Sequence, residues 1–288
     1  MYIQNEFLTA SFNARGAELC SLRDKNGKEY IWDAQAAHWA RHAPILFPIV
    51  GKLKDNKMTY KGTEYAMNQH GFARDRVFKM LEKTATSIKF GLRHDEDTLE
   101  VFPFAFTIHI IYTLKENQLE VAYHVKNPDT EKLYFSIGAH PAFNCPLEDG
   151  KKRSDYQFVF EKAITADTYR ITNGNQNGEK ERVITKKKEL QITDDLFEKD
   201  ALVFKNFPSS SVGIAEVGKT PYVNMHFKGF PFLGLWSASK DAPFVCIEPW
   251  LGIADTVEGQ EDFSKKEGVI EVAPKEAFDA SYTIEINA

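Results

Sequence analysis

Apolar and polar residues alternate with a period of two along much of the chain, the repeat of a strand that buries one face. In Thr107–Leu114, residues Ile108, Ile110 and Tyr112 fall on one side, and in Leu119–Val125 so do Leu119, Val121, Tyr123 and Val125. The polar KENQ between these runs predicts a hairpin. Phe7–Phe12 alternates in the same way. Further strands are expected at Thr86–Arg93, Leu133–Ile137, Gln157–Phe160, Ala201–Phe204, Val212–Glu216, Tyr222–Phe227, Phe244–Ile247 and Phe278–Ile286. Most are rich in β-branched and aromatic residues and end in Gly, Asn, Asp or Pro.

Helical signals are few. Asp33–His42 predicts one short helix with Asp33 as N-cap, and Asp95–Val101 predicts a turn or two. Strands do not alternate with long helices, so the pattern points to an all-β sandwich or barrel rather than a parallel α/β sheet. The most polar stretch, Thr172–Lys188, reads as a hairpin loop followed by a solvated strand. With no repeat, linker or compositional break, residues 1–288 are expected to form a single domain.

Composition narrows the function. A chain of 288 residues, 43% hydrophobic, can bury a sizeable core. A net charge of -5 points away from nucleic acid and anionic membranes as partners. The aromatic content of 13% suits strands and also sugar-binding surfaces, where rings stack on pyranoses. The N-terminus lacks the features of a secretory signal, and the most apolar stretch, Ala43–Val50, is too short to span a bilayer. Cys20, Cys145 and Cys246 are odd in number and lack CxxC spacing. They are expected to be buried, reduced thiols of a cytoplasmic protein.

Four segments place reactive side chains in apolar or Gly/Pro-rich settings. His70 and Arg74 lie in NQHGFARD. His140 lies in SIGAHPAFNCP, where Pro141 biases it towards an extended backbone. Glu248, in FVCIEPW, ends an apolar run, and a carboxylate there needs a partner or a raised pKa. Lys52 follows Gly51 in FPIVGKL. Taken singly, each reads as structural. His109, His124 and His226 lie within strand patterns. His38 and His42 stand one helical turn apart but lack the carboxylate of an HExxH motif, so neither a metal nor a cofactor is expected.

Together with GAEL at Gly16–Leu19 and GLWS at Gly234–Ser237, the order and spacing of these motifs resemble the aldose 1-epimerase (galactose mutarotase) family, most closely its LacX-like branch. The resemblance spans nearly the whole chain. It implies a large antiparallel β-supersandwich that interconverts α and β anomers without a cofactor. It implies His140 as general acid, Glu248 as general base, and His70 as a histidine that hydrogen-bonds the sugar and supports the acid. Lys52 stands where many galactose mutarotases carry Arg after Gly, which keeps the charge but loses the bidentate fork; Arg74 is the alternative planar donor. Asp200 matches the aspartate that grips sugar hydroxyls, with Asp194 and Asp195 as nearby alternatives. Trp236 and Trp250 are candidates to line the pocket.

The reaction needs one acid and one base, expected on opposite sides of C1–O5. The implied partner is an aldohexose such as galactose or glucose, and the chain is expected to be a monomer or homodimer. Two alternatives stay open. A hexose-phosphate mutarotase would use basic residues among Lys52, Lys54, Arg74 and Arg76. A non-catalytic carbohydrate-binding protein could share the fold. A metal-dependent sugar isomerase fits least.

Overall fold

A computed structural model describes residues 1–287. The alternation becomes sheet. In the paired strands Thr107–Lys115 and Gln118–Lys126 every second side chain is buried, with Tyr112 opposite Val121 and Ile110 opposite Tyr123. These strands belong to a 15-stranded antiparallel sheet. Its path runs from Ile45–Leu46 through Ile137–Ala139, Phe244–Leu251, Phe232–Trp236, Leu202–Lys205, Tyr156–Thr172, Ser211–Glu216 and Val223–His226. It continues through Ala277–Ile286, Gln118–Lys126, Thr107–Lys115 and Ser87–Arg93 to Lys79–Lys83. A three-stranded sheet of Tyr2–Gln4, Leu8–Phe12 and Leu19–Asp24 packs on one end of it. There the Phe12 ring lies 4.4 Å from that of Tyr112, whose hydroxyl donates to the Ala17 carbonyl. The antiparallel β-architecture expected from the pattern is thus present.

Two local expectations change, at Asp33–His42 and at Phe232–Trp236. Asp33–His42 is not a helix. Ala34 takes a left-handed φ of 59°, and only a turn forms, with the amides of His38 and Trp39 donating to the Gln35 carbonyl. The Trp32 indole donates to the Trp39 carbonyl at 2.9 Å, so aromatic packing rather than helical periodicity shapes this segment. Thr172–Lys188 forms the expected hairpin turn and largely exposed strand. Only Asn173 and Gly174 turn, with φ of 52° and 86°, joining the 17-residue strands Tyr156–Thr172 and Asn175–Gln191. The strand Phe232–Trp236, central to the sheet, is missing from the alternation because Pro231 and Gly234 interrupt the β signal. Asp95 does cap the helix Glu96–Val101, through a reciprocal pair of bonds with Thr98.

All three cysteines are free; Cys145 and Cys246 are buried, whereas Cys20 is only half-buried and donates to the Ser11 carbonyl. Among the described residues, no helix is long and apolar enough to cross a membrane.

Candidate active site

The strand Phe244–Leu251 is buried along nearly its whole length. Its flanking registers build the site. On one side Gly138 pairs with Trp250, and Ala142 pairs with Cys246. His140 lies midway between Gly138 and Ala142, as Glu248 lies midway between Cys246 and Trp250, so the two fall opposite each other. On the other side Gly234 pairs with Glu248 and Trp236 with Cys246. Side chains two residues apart share a face, so this patch of sheet presents His140, Glu248, Trp236 and Trp250 together.

The glycines make room. A Cβ on Gly234 would stand 2.5 Å from the Trp250 ring, and one on Gly138 would stand 2.7 Å from the same ring. The glycines of the GAHPAFN and GLWS motifs therefore seat Trp250 beside Glu248.

His140 Nε2 lies 3.3 Å from Glu248 Oε2. His140 is 7% exposed and Glu248 is 2% exposed. Neither His140 Nδ1 nor Glu248 Oε2 has an aligned hydrogen-bond partner, so the short approach is a contact rather than a satisfied bond. Burial, then the field of Arg74, pulls the imidazole of His140 down to about 3. Burial, then the charge of Asp200, pushes the carboxyl of Glu248 well above the usual carboxylate range. Both shifts favour uncharged groups, the signature of ionisable side chains withdrawn from water. The two side chains stand side by side on one face of the sheet.

His70 enters from a loop. It adopts a left-handed φ of 66°, and its amide donates to the Gly51 carbonyl while the Gly51 amide donates to Nδ1 at 3.1 Å. Nδ1 is thereby fixed as an acceptor, so Nε2 carries the proton of the neutral ring. Burial, then His140, holds its pKa well below the ordinary value. The backbone is pressed close here: a Cβ on Gly71, itself at φ 72°, would lie 2.3 Å from the Phe47 carbonyl oxygen.

These residues surround a cavity of about 340 Å³, also lined by Arg74, Asp200, Trp39, Gln69 and Val203. That size suits a small ligand. Arg74 donates through Nη2 to the Gln69 carbonyl at 2.8 Å, while its buried Nε has no partner. Asp200 holds a left-handed φ of 73° at the rim. Of the three aspartates considered, it is the one that lines the cavity; Asp194 and Asp195 do not.

Lys52 does not join them. Its ammonium donates to the Asn173 carbonyl at 3.0 Å, and its stem packs against Gly174, so it braces the hairpin turn that borders the cavity. Lys54 donates to the Glu258 carbonyl and Arg76 pairs with Asp97, both away from the cavity.

One lining residue escaped the sequence reading. Trp39 stacks on His140 with ring centroids 4.7 Å apart and planes inclined by 26°. It sits in the segment that pattern assigns to a helix, and its only sequence signal is a tryptophan in a polar stretch.

Donor atoms of His140, Cys246 and Glu248 lie within 4.8 Å of one another, a grouping compact enough to hold a metal ion. Burial raises both the Cys246 thiol and the Glu248 carboxyl, so a metal would have to expel both protons to bind. The His38–His42 pair loses its basis, because the segment is not helical.

Comparison with known proteins identifies the fold and the family. The plasmid and chromosomal forms of protein LacX from Lactococcus lactis subsp. lactis are each 32% identical over 293 residues, covering 99% of this chain and 98% of theirs. A galactose mutarotase related enzyme from Lactobacillus acidophilus superposes with a TM-score of 0.95 at 33% identity, over 100% of this chain and 97% of that one. A galactose mutarotase-like protein from Lactobacillus casei superposes with a TM-score of 0.93 at 30% identity, over 100% and 99% of the two chains. The sequence model of aldose 1-epimerase matches residues 1–266. The chain belongs to the aldose 1-epimerase family of sugar isomerases.

Proposed function

We propose that this protein interconverts the anomers of a hexose, with Glu248 as base and His140 as acid. The observation that carries the reading is the 3.3 Å approach of His140 Nε2 to Glu248 Oε2 inside a buried, sugar-sized cavity. The C1 hydroxyl and the ring oxygen are both bonded to C1. A base for one and an acid for the other can therefore stand close together, as these two do.

The step starts from imidazolium beside carboxylate, the ion pair that burial of both groups disfavours. Glu248 takes the proton of the C1 hydroxyl while His140 protonates the ring oxygen, and the C1–O5 bond breaks. This leaves a carboxylic acid beside a neutral imidazole, the uncharged state that burial favours. The aldehyde turns about C1–C2. Glu248 then returns its proton to the carbonyl oxygen as the ring closes, and His140 recovers the other from the attacking hydroxyl. No net proton enters or leaves. The Nε2–H of His70, the guanidinium of Arg74 and the carboxylate of Asp200 hold hydroxyls so that the open chain stays in place, and Trp236 supplies an apolar wall.

Polarimetry on freshly dissolved α-galactose and α-glucose tests this. Wild-type protein should hasten relaxation to the same final rotation. Glu248→Gln should lose about 10²–10⁴-fold, the worth of one positioned proton transfer. Undiminished activity in Glu248→Gln would remove the base from the mechanism.

A further inference from the structure

The outer face of the large sheet carries a group that the cavity chemistry does not use. Ile108, Ile110, Tyr123 and Val125 point into the core, so His109 and His124, which alternate with them, point outward. The two histidines are direct partners across the strands Thr107–Lys115 and Gln118–Lys126. Their rings stack with centroids 5.6 Å apart and planes inclined by 17°. On the far side of His124, its partner in the strand Ala277–Ile286 is Asp279, whose Oδ1 lies 2.8 Å from His124 Nδ1. On the far side of His109 stands Gly91, where a Cβ would come 3.2 Å from His109 Cδ2, so the missing side chain leaves the ring its room.

The hydrogen bond to Asp279 decides what His124 can do. A carboxylate only accepts, so Nδ1 donates and Nε2 of the neutral ring keeps its lone pair free. A carboxylate behind one imidazole nitrogen fixes the aim and raises the basicity of the other, the arrangement found behind metal-ligating histidines. Among the described residues, no group hydrogen-bonds the ring of His109. Burial, then Lys89, then His124, holds His109 below the ordinary histidine range, so at neutral pH it too offers a lone pair rather than a charge. Lys89 in turn is paired with Glu82 at 3.3 Å. Two nitrogens bound tetrahedrally to one ion stand about 3.3 Å apart, and the broad χ2 well of histidine lets the two rings tilt together that far. At the buried cluster of His140, Cys246 and Glu248 an ion would have to expel two protons. At His109 and His124 it would expel none.

We propose that His109 and His124 ligate a divalent transition-metal ion on the outer face of the sheet, with Asp279 as the positioning residue and water completing the coordination. The ion ties Thr107–Lys115 to Gln118–Lys126 and, through Asp279, to Ala277–Ile286. Neither histidine lines the cavity, so this site stands independently of the mutarotase reading.

Calorimetric titration of chelator-treated protein with nickel and zinc chloride tests this. A single ion should bind per chain, with Ni²⁺ tighter than Co²⁺ and Co²⁺ tighter than Mn²⁺, and with no response to Mg²⁺. The melting temperature should climb with metal concentration, since the ion binds the folded chain. His124→Ala should abolish binding in a protein still folded by circular dichroism. Asp279→Ala should weaken binding by about 10- to 100-fold, the usual effect of removing the carboxylate behind a ligating histidine. His109→Cys should retain Zn²⁺ through its thiolate, which a variant that merely misfolds would not. Undiminished binding in both His109→Ala and His124→Ala would assign the ion to another cluster and overturn the site. Wild-type protein that responds to neither Ni²⁺ nor Zn²⁺ would overturn it as well.

Discussion

Removing the indole of Trp39 tests whether burial sets the working range of the acid. Trp39 covers one face of His140 at 4.7 Å, and the imidazole is held down at about 3 chiefly because water cannot reach it. The ordinary histidine value is about 6.5, and each pH unit corresponds to about 1.4 kcal/mol. If admitting water to one face relieves a third to a half of the depression, Trp39→Ala raises the value by about 1–2 units. The direction of the kinetic effect follows from counting protons. The working pair holds one proton between His140 and Glu248. Acid adds a second, leaving imidazolium beside a carboxylic acid, and the base is lost; the acid limb of kcat/KM reports that step as a property of the pair. Trp39→Ala should therefore move the acid limb up by about 1–2 pH units. Trp39→Phe, which keeps a ring over the imidazole, should leave it near the wild-type position. Polarimetric profiles of kcat/KM between about pH 2 and about pH 7, corrected for spontaneous mutarotation, supply the comparison (about five units suffice to see one limb move by one). An acid limb that stays put in the alanine variant, or moves equally with phenylalanine, refutes desolvation by Trp39 as the cause.

Three further outcomes are expected. Glu248 has a folded pKa raised above its unfolded value, so the folded protein keeps a proton that the unfolded chain releases, and this group costs stability as pH rises through that interval. Glu248→Gln does not titrate there, so its melting temperature should gain on wild type between pH 5 and pH 8 (conditions about one unit beyond the ordinary carboxyl range); parallel melting curves across pH would contradict this. Gly234→Ala drives a methyl group into the Trp250 ring opposite Glu248 and should cost about 1–3 kcal/mol in urea unfolding together with much of the activity. Wild-type turnover in that variant would show that the Trp250 seat is dispensable. Lys52→Ala should alter kcat/KM by less than about threefold, because its ammonium is engaged with the Asn173 carbonyl on the rim; a loss of about a hundredfold would mean that the lysine reaches the sugar.

The architecture was legible wherever one face of a strand is buried and the other wet, as in Thr107–Lys115 and Gln118–Lys126. It was least legible at the site. Phe232–Trp236 has buried residues on both faces and a glycine where a strand former is expected, so no alternation marks it. His70, His140, Glu248 and Arg74 stand in local motifs, and the fold brings them to one cavity. Trp39 lacks such a motif, because it reaches His140 through a turn that aromatic packing imposes. Lys52 stands outside the cavity lining for the opposite reason: its neighbours in sequence are informative, but the left-handed φ of 73° at Gly51 and the turn at Asn173–Gly174 decide where its ammonium goes. The arginines around Asp75 come from three separate segments, and only the folded chain reveals that they meet.

The pairing of Gly138 with Trp250 and of Ala142 with Cys246 has a consequence for how such a protein can diversify. The spacing of His140 and Glu248 is inherited from the register of a sheet, while the lining residues Trp39, Gln69, Arg74 and Asp200 sit outside its strands. Insertions and substitutions in those surrounding segments can change which substrate is admitted without moving the reactive pair. A deletion of Ala139 would instead invert the alternation that carries His140 onto the cavity face. On the mutarotase reading proposed above, ring opening and substrate choice are separable in this scaffold.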